Sequence, residues 1–353
     1  MFVSSVLKLL LPAIVLALPL AAAAKAETLF HQPWKSGNHA LVIDAYEFNE
    51  LNIADIAADK RVAGFINKGS DGMPPVWGCK TAVTDTEKDL CKKEWRLYSV
   101  SRELFHTRKE LAKALGLKWG SYHLGRPGNA IDQANHFIDF TDPQPDELIA
   151  IDIEDLASGK YISLADAELF ARHIYRRLGR YPLLYVNDDT AKHIARQRYQ
   201  YPLLSRLPLW YARYKPEIAG SFPKGNWDGY ALWQFVSHLN CGKRACPHRI
   251  EGTGRDIDIN VANMDVKALK AAWPLSGLVP TKDPRSDREF SDALIALVWQ
   301  KAGALKPHVA GAATSIALQA ATVVTTAMDN IASRIDPIVT ASIQPDRPTG
   351  RAD

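Results

Sequence analysis

Short apolar runs alternate with amphipathic stretches between about residues 38 and 274. Apolar runs that predict strands lie at 39–46, 61–69, 118–125, 147–156, 181–187, 207–214 and 230–236. Apolar residues recur with a helical period of 3.6 at 101–117, 129–141 and 163–179. Strands that alternate with helices favour parallel pairing through right-handed crossovers. The pattern predicts an α/β fold, a TIM-type (β/α) barrel that is irregular in its last strands, where less helix separates them. A doubly wound open sheet is the alternative.

Acidic residues interrupt two of these apolar strands and a third apolar run near the end of the region. In the run IAIDIEDL (149–156), Asp152 and Glu154 alternate with isoleucines. Residues i and i+2 of a strand point the same way, about 6.6 Å apart, so the two carboxylates share a face. Asp44 ends the run LVID, and Asp258 alternates with isoleucines in RDIDINV. In a barrel this face is the lumen, and the strand ends open on the active-site mouth.

Two carboxylates at such a mouth repel each other and are partly desolvated. Both effects favour a proton on one member of the pair Asp152 and Glu154 at neutral pH. One protonated and one ionised carboxyl is the combination that cleavage of a glycosidic bond requires. The alternative is that these acids begin a solvated loop, with one of them capping the next helix.

The composition limits the possible functions. The chain has 353 residues, of which 47% are hydrophobic and 23% charged, as in ordinary globular proteins. The net charge is +4 and the basic residues are scattered, so no nucleic-acid partner is predicted. No G-x-G-x-x-G follows the first strand, and we find no Ser-His-Asp order and no metal-ligand cluster, so no cofactor and no metal are predicted. His123 is interpreted as a strand histidine with satisfied hydrogen bonds rather than a catalyst.

The N-terminus and the cysteines indicate export. An early Lys8, an apolar run at 9–24 and small residues before a cleavage point after Ala26 predict a signal peptide over 1–26, with a membrane anchor as the alternative. We therefore expect a periplasmic or secreted protein. An even cysteine count in an exported chain predicts disulfides, with zinc or free thiols as alternatives. The cysteines form two local pairs, Cys79 with Cys91 and Cys241 with Cys246.

The composition changes after the predicted barrel domain, residues 27–275. Residues 276–353 read as a polar linker followed by a partly disordered tail rich in Ala, Thr and Pro. Within the tail, 309–328 carries no charge and is about as long as a bilayer span, but its hydropathy is weak. We interpret it as a marginal helix or a segment that associates with the wall or a membrane surface, with a true span as the alternative.

A series of short motifs resembles one enzyme family in its order along the chain. The motifs are VID at 42–44, NKGSDG at 67–72, GSYHL at 120–124, QANHF at 133–137, D-x-E at 152–154, PLLY at 182–185, LWYARY at 209–214, WQF at 233–235 and D-x-N at 258–260. Over about residues 38–274 the sequence thus resembles the glycoside hydrolase family 25 lysozymes, which are N-acetylmuramidases. Tyr46 and Phe48 stand near where that family usually has a small residue and often a Trp, and Asp71 stands for its Glu. Segments 73–100 and 237–255 look like insertions, each with one cysteine pair, and these departures bear on sugar-binding subsites and polymer preference.

The resemblance implies hydrolysis of the β-1,4 bond between N-acetylmuramic acid and N-acetylglucosamine in peptidoglycan glycan strands. It implies Glu154 as general acid and Asp152 as the ionised stabiliser of developing positive charge, with Asp44 and Asp258 orienting the pair. It favours retention of configuration, with the N-acetyl group of the substrate as a nucleophile. Residues predicted to bind the sugars, with core packing as the alternative for the aromatic ones, are Lys68, Tyr122, Tyr185, Trp210 and Trp233.

Two other functions remain open from the sequence. One is a non-catalytic barrel that binds cell-wall glycan, although that function has no use for four inward acids. The other is a hydrolase of another N-acetylated polysaccharide such as chitin. In each case we expect a monomer.

Overall fold

The computed structural model describes residues 29–282, where eight strands close into one barrel. In chain order the strands are β1 (Leu41–Ala45), β2 (Val62–Asp71), β3 (Lys118–Leu124), β4 (Leu148–Ile153), β5 (Leu183–Asn187), β6 (Leu209–Ala212), β7 (Leu232–Val236) and β8 (Asp258–Ala262). Each strand pairs with the next, and β8 pairs with β1. The predicted α/β barrel is thereby confirmed.

Helices follow or flank most of the strands. They are α1 (Ile53–Ala58), α2 (Asp85–Ala114), α3 (Ala130–Thr141), α4 (Leu164–Leu178), α5 (Asp188–Arg196) and α6 (Val266–Ala272). Helix α4 has the predicted caps: the Ser163 side chain accepts from the Asp166 N–H, and Gly179 has a φ of 68°. Helix α2 begins far before the predicted residue 101, because Thr84 and Glu87 form a capping box there.

The last strand runs against its neighbours. The pairs from β1–β2 to β6–β7 are parallel, whereas β8 is antiparallel to both β7 and β1. This is the irregularity expected among the last strands. Because β8 is reversed, its first residue, Asp258, lies at the barrel end where the other strands finish, and the register pairs it with Asp44.

Alternation along the strands separates two apolar layers. Residues such as Ile43 and Ile151 face outward and pack in the layer that includes the helices. Their neighbours Val42 and Ala150 face inward and fill the barrel.

The chain continues past residue 275 along the barrel. The Val279 N–H donates to the Arg206 carbonyl at 2.8 Å. Within 29–282, no helix combines the length and the apolar character needed to cross a membrane. The predicted signal peptide (1–26) and the uncharged segment 309–328 lie outside the described residues.

Candidate active site

A cleft of about 240 Å³ lies at the barrel end where β1 and β4 finish. It brings together all four acids and three of the four aromatic residues that the sequence predicted. Its lining residues are Asp44, Tyr122, Asp152, Glu154, Tyr185, Trp210, Gln234 and Asp258.

Asp152 and Glu154 occupy the end of β4 at two depths. Asp152 is 4% exposed inside the barrel, whereas Glu154 follows the strand and is exposed at the rim. Both backbones are held, because the Gly125 N–H donates to the Asp152 carbonyl at 3.0 Å and the Asn187 amide donates to the Glu154 carbonyl at 2.6 Å. The pair is therefore fixed in place, with Glu154 nearer the solvent.

The pKa of each member of this pair is raised. Burial raises the pKa of Glu154, and the positive charge of Arg126 opposes that rise. Burial raises the pKa of Asp152 well above its usual value, and Glu154 and Asp44 add to the rise. Oδ1 of Asp152 is buried with no hydrogen-bond partner among the described residues, which favours the protonated form, so its role as the ionised member stays a prediction. Neighbouring carboxyls titrate as a pair, so the proton belongs to both.

Asp44 and Asp258 face each other across the β1–β8 pairing but have different surroundings. Asp44 accepts hydrogen bonds from the side-chain amides of Gln234 and Asn260. Burial raises the pKa of Asp44 to about 6, and these two donors limit the rise. The pKa of Asp258 is raised well above its usual value, by burial first and then by Asp44 and Glu154.

Aromatic rings form the walls of the cleft. Trp210 is 1% exposed and meets Tyr185 edge to face, with ring centroids 4.9 Å apart. Tyr122 meets Trp210 in the same way at 6.1 Å. The three rings thus belong both to the barrel interior and to the cleft.

The structure corrects the prediction for Trp233. This residue points out of the barrel, where its ring packs 5.0 Å from that of Trp34 and its Nε1–H donates to the Arg213 carbonyl. Side chains alternate along β7, so the neighbouring Gln234 enters the cleft instead. The motif WQF indicates that Trp233 and Gln234 face opposite ways, but it does not tell which of the two is inward.

Lys68 and His123 are engaged by other partners. The Lys68 ammonium lies 2.8 Å from Glu47 and outside the cleft lining, so a role in substrate binding stays a prediction. His123 is fully buried between Ser70 (2.8 Å) and Gln133 (3.0 Å), and burial lowers its pKa to about 4. It is a satisfied strand histidine, as interpreted from the sequence.

Arg126 is a cation near the cleft that the sequence analysis missed. It forms a two-pronged ion pair with Asp71, with nitrogen–oxygen distances of 2.5 and 2.9 Å. Its charge lowers the pKa of both Asp152 and Glu154, against the effect of burial. The signal available was the sequence GRPG after β3, at the mouth of the barrel.

The four cysteines form two local disulfides, Cys79–Cys91 and Cys241–Cys246. The first joins the segment after β2 to helix α2, and the second closes a loop between β7 and β8. In the described part of the chain, no group of three or more His, Cys, Asp or Glu side chains is arranged to hold a metal ion.

Comparison with known proteins gives one family match. Residues 98–243, which include Asp152 and Glu154, match the model described as glycosyl hydrolases family 25. No curated protein sequence matches the chain.

Several solved structures are similar at low identity. A muramidase from Acremonium alcalophilum is 20% identical, with 66% of this chain and 97% of that chain covered and a TM-score of 0.46. A lysozyme from Streptomyces coelicolor is 18% identical, with 67% and 97% covered and a TM-score of 0.46. A family GH25 lysozyme from Aspergillus fumigatus is 18% identical, with 68% and 100% covered and a TM-score of 0.46.

Proposed function

We propose that the chain is a muramidase of the family 25 glycoside hydrolases, a proposal supported by the family match over residues 98–243. Its substrate is the β-1,4 bond between N-acetylmuramic acid and N-acetylglucosamine in peptidoglycan. The observation that supports this most is the cluster of four acids with raised pKa in an aromatic-walled cleft. Acids of this kind supply the proton for glycoside cleavage, and aromatic faces stack on sugar rings.

Glu154 is the general acid in this proposal. It lies at the rim, where a glycosidic oxygen can reach it, and its raised pKa favours the protonated form that a general acid needs. That proton passes to the leaving oxygen as the bond between this oxygen and the anomeric carbon breaks. Glu154 then takes a proton from the water that completes hydrolysis.

Asp152 lies deeper and stabilises the positive charge that develops on the sugar or its acetamido group. Once the pair has given up its proton, the buried carboxylate faces that charge in a site of low polarity, where the attraction is strong. The family resemblance favours retention through the acetamido oxygen. Asp44 and Asp258 keep the electrostatic potential of the cleft negative.

The cellular setting follows from the substrate. We place the protein outside the cytoplasm, as a monomer on the wall, with residues 276–353 contacting the wall or a membrane surface. The predicted signal peptide and the two disulfides support export.

Digestion of purified peptidoglycan, followed by chemical analysis of the new reducing ends, tests the proposed bond. We expect muramic acid at those ends, and glucosamine there contradicts the proposal. The Glu154→Gln variant serves as the inactive control, and chitin oligosaccharides are run in parallel. Binding of peptidoglycan without any release of reducing ends favours the glycan-binding barrel instead.

A further inference from the structure

Gln234 holds a fixed orientation between two tyrosines and an aspartate. Its Oε1 accepts the hydroxyls of Tyr185 at 2.9 Å and Tyr214 at 2.6 Å. Burial raises the pKa of both phenols, so both remain protonated donors at neutral pH. An amide whose oxygen is occupied must present its NH2 group on the other side. That group donates to Oδ1 and Oδ2 of Asp44, at 3.2 and 3.1 Å.

Asn260 is fixed in the same way from the opposite strand. The Trp210 Nε1–H, which can only donate, points at Asn260 Oδ1 from 2.5 Å. The Asn260 NH2 group therefore donates to Asp44 Oδ2 at 2.6 Å and to the Val42 carbonyl at 3.1 Å. Asp44 thus lies between two amides that have no freedom to turn.

The other buried aspartates of the cleft lack such donors. Oδ1 of Asp152 and Oδ1 of Asp258 are buried without a hydrogen-bond partner in the described part of the chain. Hydrogen-bond donors that point at a carboxylate favour its ionised form. The two amides therefore oppose the rise in pKa that burial causes at Asp44, and Asp152 and Asp258 have no such donors among the causes of their raised pKa. The titratable groups that face Asp44 are Tyr122 on β3, Asp152 on β4, Glu154 after β4, Tyr185 on β5, Tyr214 after β6 and Asp258 on β8.

We propose that Gln234 is a positioning residue which, with Asn260, makes Asp44 the first of the three buried aspartates to ionise and fixes the direction of its carboxylate. The resulting fixed negative charge opposes ionisation of Asp152 and Asp258. Gln234 acts through Asp44 rather than on the substrate. Only the catalytic consequence of this arrangement rests on the proposed muramidase function.

NMR titration of aspartate side-chain carboxyls in the full chain tests the proposal, with the Asp44 signal assigned from Asp44→Asn. In Gln234→Met, which keeps the length but removes the donors, we expect the Asp44 midpoint to rise by about 1 pH unit. We expect the Asp152 midpoint to fall, because its neighbour now stays neutral to higher pH. Tyr214→Phe removes one of the two hydroxyls that donate to Gln234 Oε1, and it should raise the Asp44 midpoint by a smaller amount. This variant replaces Gln234→Met in the test if Gln234→Met does not fold.

Asn226→Leu is the matched control. Asn226 is a buried amide that donates to Ser205 outside the cleft, so its loss lowers stability without moving the Asp44 midpoint. An unchanged Asp44 midpoint in folded Gln234→Met, or an equal shift in Asn226→Leu, overturns the proposal. The titration needs no turnover, so it decides the matter even if the wild-type protein fails to release muramic acid ends. That separate failure rejects the muramidase assignment alone.

Discussion

Burial acts differently on Asp152 and Asp44, two aspartates of the same cleft. Both are nearly inaccessible to water, at 4% and 5% exposed. Asp44 is compensated by amide donors, whereas one oxygen of Asp152 has no partner among the described residues. An uncompensated buried carboxylate is costly, so the neutral form of Asp152 is favoured. Differences of this kind between single side chains assign the proton and the charge within the cleft.

Glu154→Gln removes the proton donor and keeps the shape of the side chain. We expect kcat on a defined muroglycan to fall by roughly 10²- to 10⁴-fold with little change in KM, because the lost interaction belongs to the transition state. Glu251→Gln, at an exposed loop position, is the control and keeps normal kinetics. Near-normal turnover in Glu154→Gln shows that another group is the acid.

Asp152→Asn changes the pH profile as well as the rate. Asp152 and Glu154 repel each other when both are ionised, and this repulsion helps to keep a proton on the pair. With Asn at position 152 there is no second carboxyl to share the proton, so the last proton of the site leaves Glu154 at lower pH than it leaves the pair. We expect a slower enzyme whose alkaline limb of kcat/KM moves to lower pH. An alkaline limb that stays in place or moves to higher pH contradicts this coupling.

Among the elements, the reversed strand β8 matters most for the site. Had β8 been parallel to its neighbours, its first residue would lie at the opposite end of the barrel. The antiparallel direction places Asp258 beside Asp44 and brings Asn260 within 2.6 Å of the same carboxylate. The irregular closure thus supplies one acid and one amide to the cleft.

Each of the two disulfides links cysteines that are close in sequence and closes one short segment of the chain. Peptide mapping without reduction should recover Cys79 with Cys91 and Cys241 with Cys246, and a cross-pair linkage contradicts the structure. The double variant Cys79→Ser, Cys91→Ser should lose about 2–3 kcal/mol of unfolding free energy, because its closed loop is short. The Cys241–Cys246 disulfide closes a still shorter loop. The double variant Cys241→Ser, Cys246→Ser should therefore lose less unfolding free energy, as measured by urea denaturation.

For the whole molecule, closure of the barrel gathers residues that are distant in sequence. Asp44 and Asn260 are 216 positions apart, yet they form a hydrogen bond in the barrel interior. The same closure removes water from Asp44, Asp152 and Asp258 together. The site therefore costs folding stability, since three carboxyls are buried where their charged forms are disfavoured.

This cost gives a pH dependence of unfolding. A raised pKa in the folded state means that the stabilising contribution is complete below the unfolded pKa and is lost as the pH rises through the folded pKa. For Asp44 that window runs from its usual 3.8 to about 6, and for Asp152 it extends to higher pH. Asp152→Asn, which cannot ionise, should thus be more stable than wild type at pH 7.

Urea denaturation across this range checks the expectation. The advantage of Asp152→Asn should shrink toward about pH 2.5, well below the unfolded pKa, where the wild-type carboxyl is protonated in both the folded and the unfolded state. A variant that is less stable than wild type at pH 7 contradicts the view that this carboxyl is buried at a cost.

In the described part of the chain, the sequence by itself determined seven of the eight strands, the three longest helices and the four acids of the cleft. Hydrophobic period and turn residues act over a few positions, so they specify local structure and the side chains that share a strand face. Asp152 and Glu154 were recognisable for this reason, because two carboxylates on one face of an isoleucine-rich strand serve no packing purpose. The local pairing of the cysteines follows from the same short range.

Only the tertiary structure decided which face of β7 is inward, which way β8 runs and which acids lack donors. A strand such as LWQFV is apolar on both faces, so its alternation does not say whether Trp233 or Gln234 enters the barrel. Strand pairing over long sequence distances settles that choice. The raised pKa values of Asp44, Asp152 and Asp258 likewise depend on donors and burial contributed by other strands, and no local pattern contains that information.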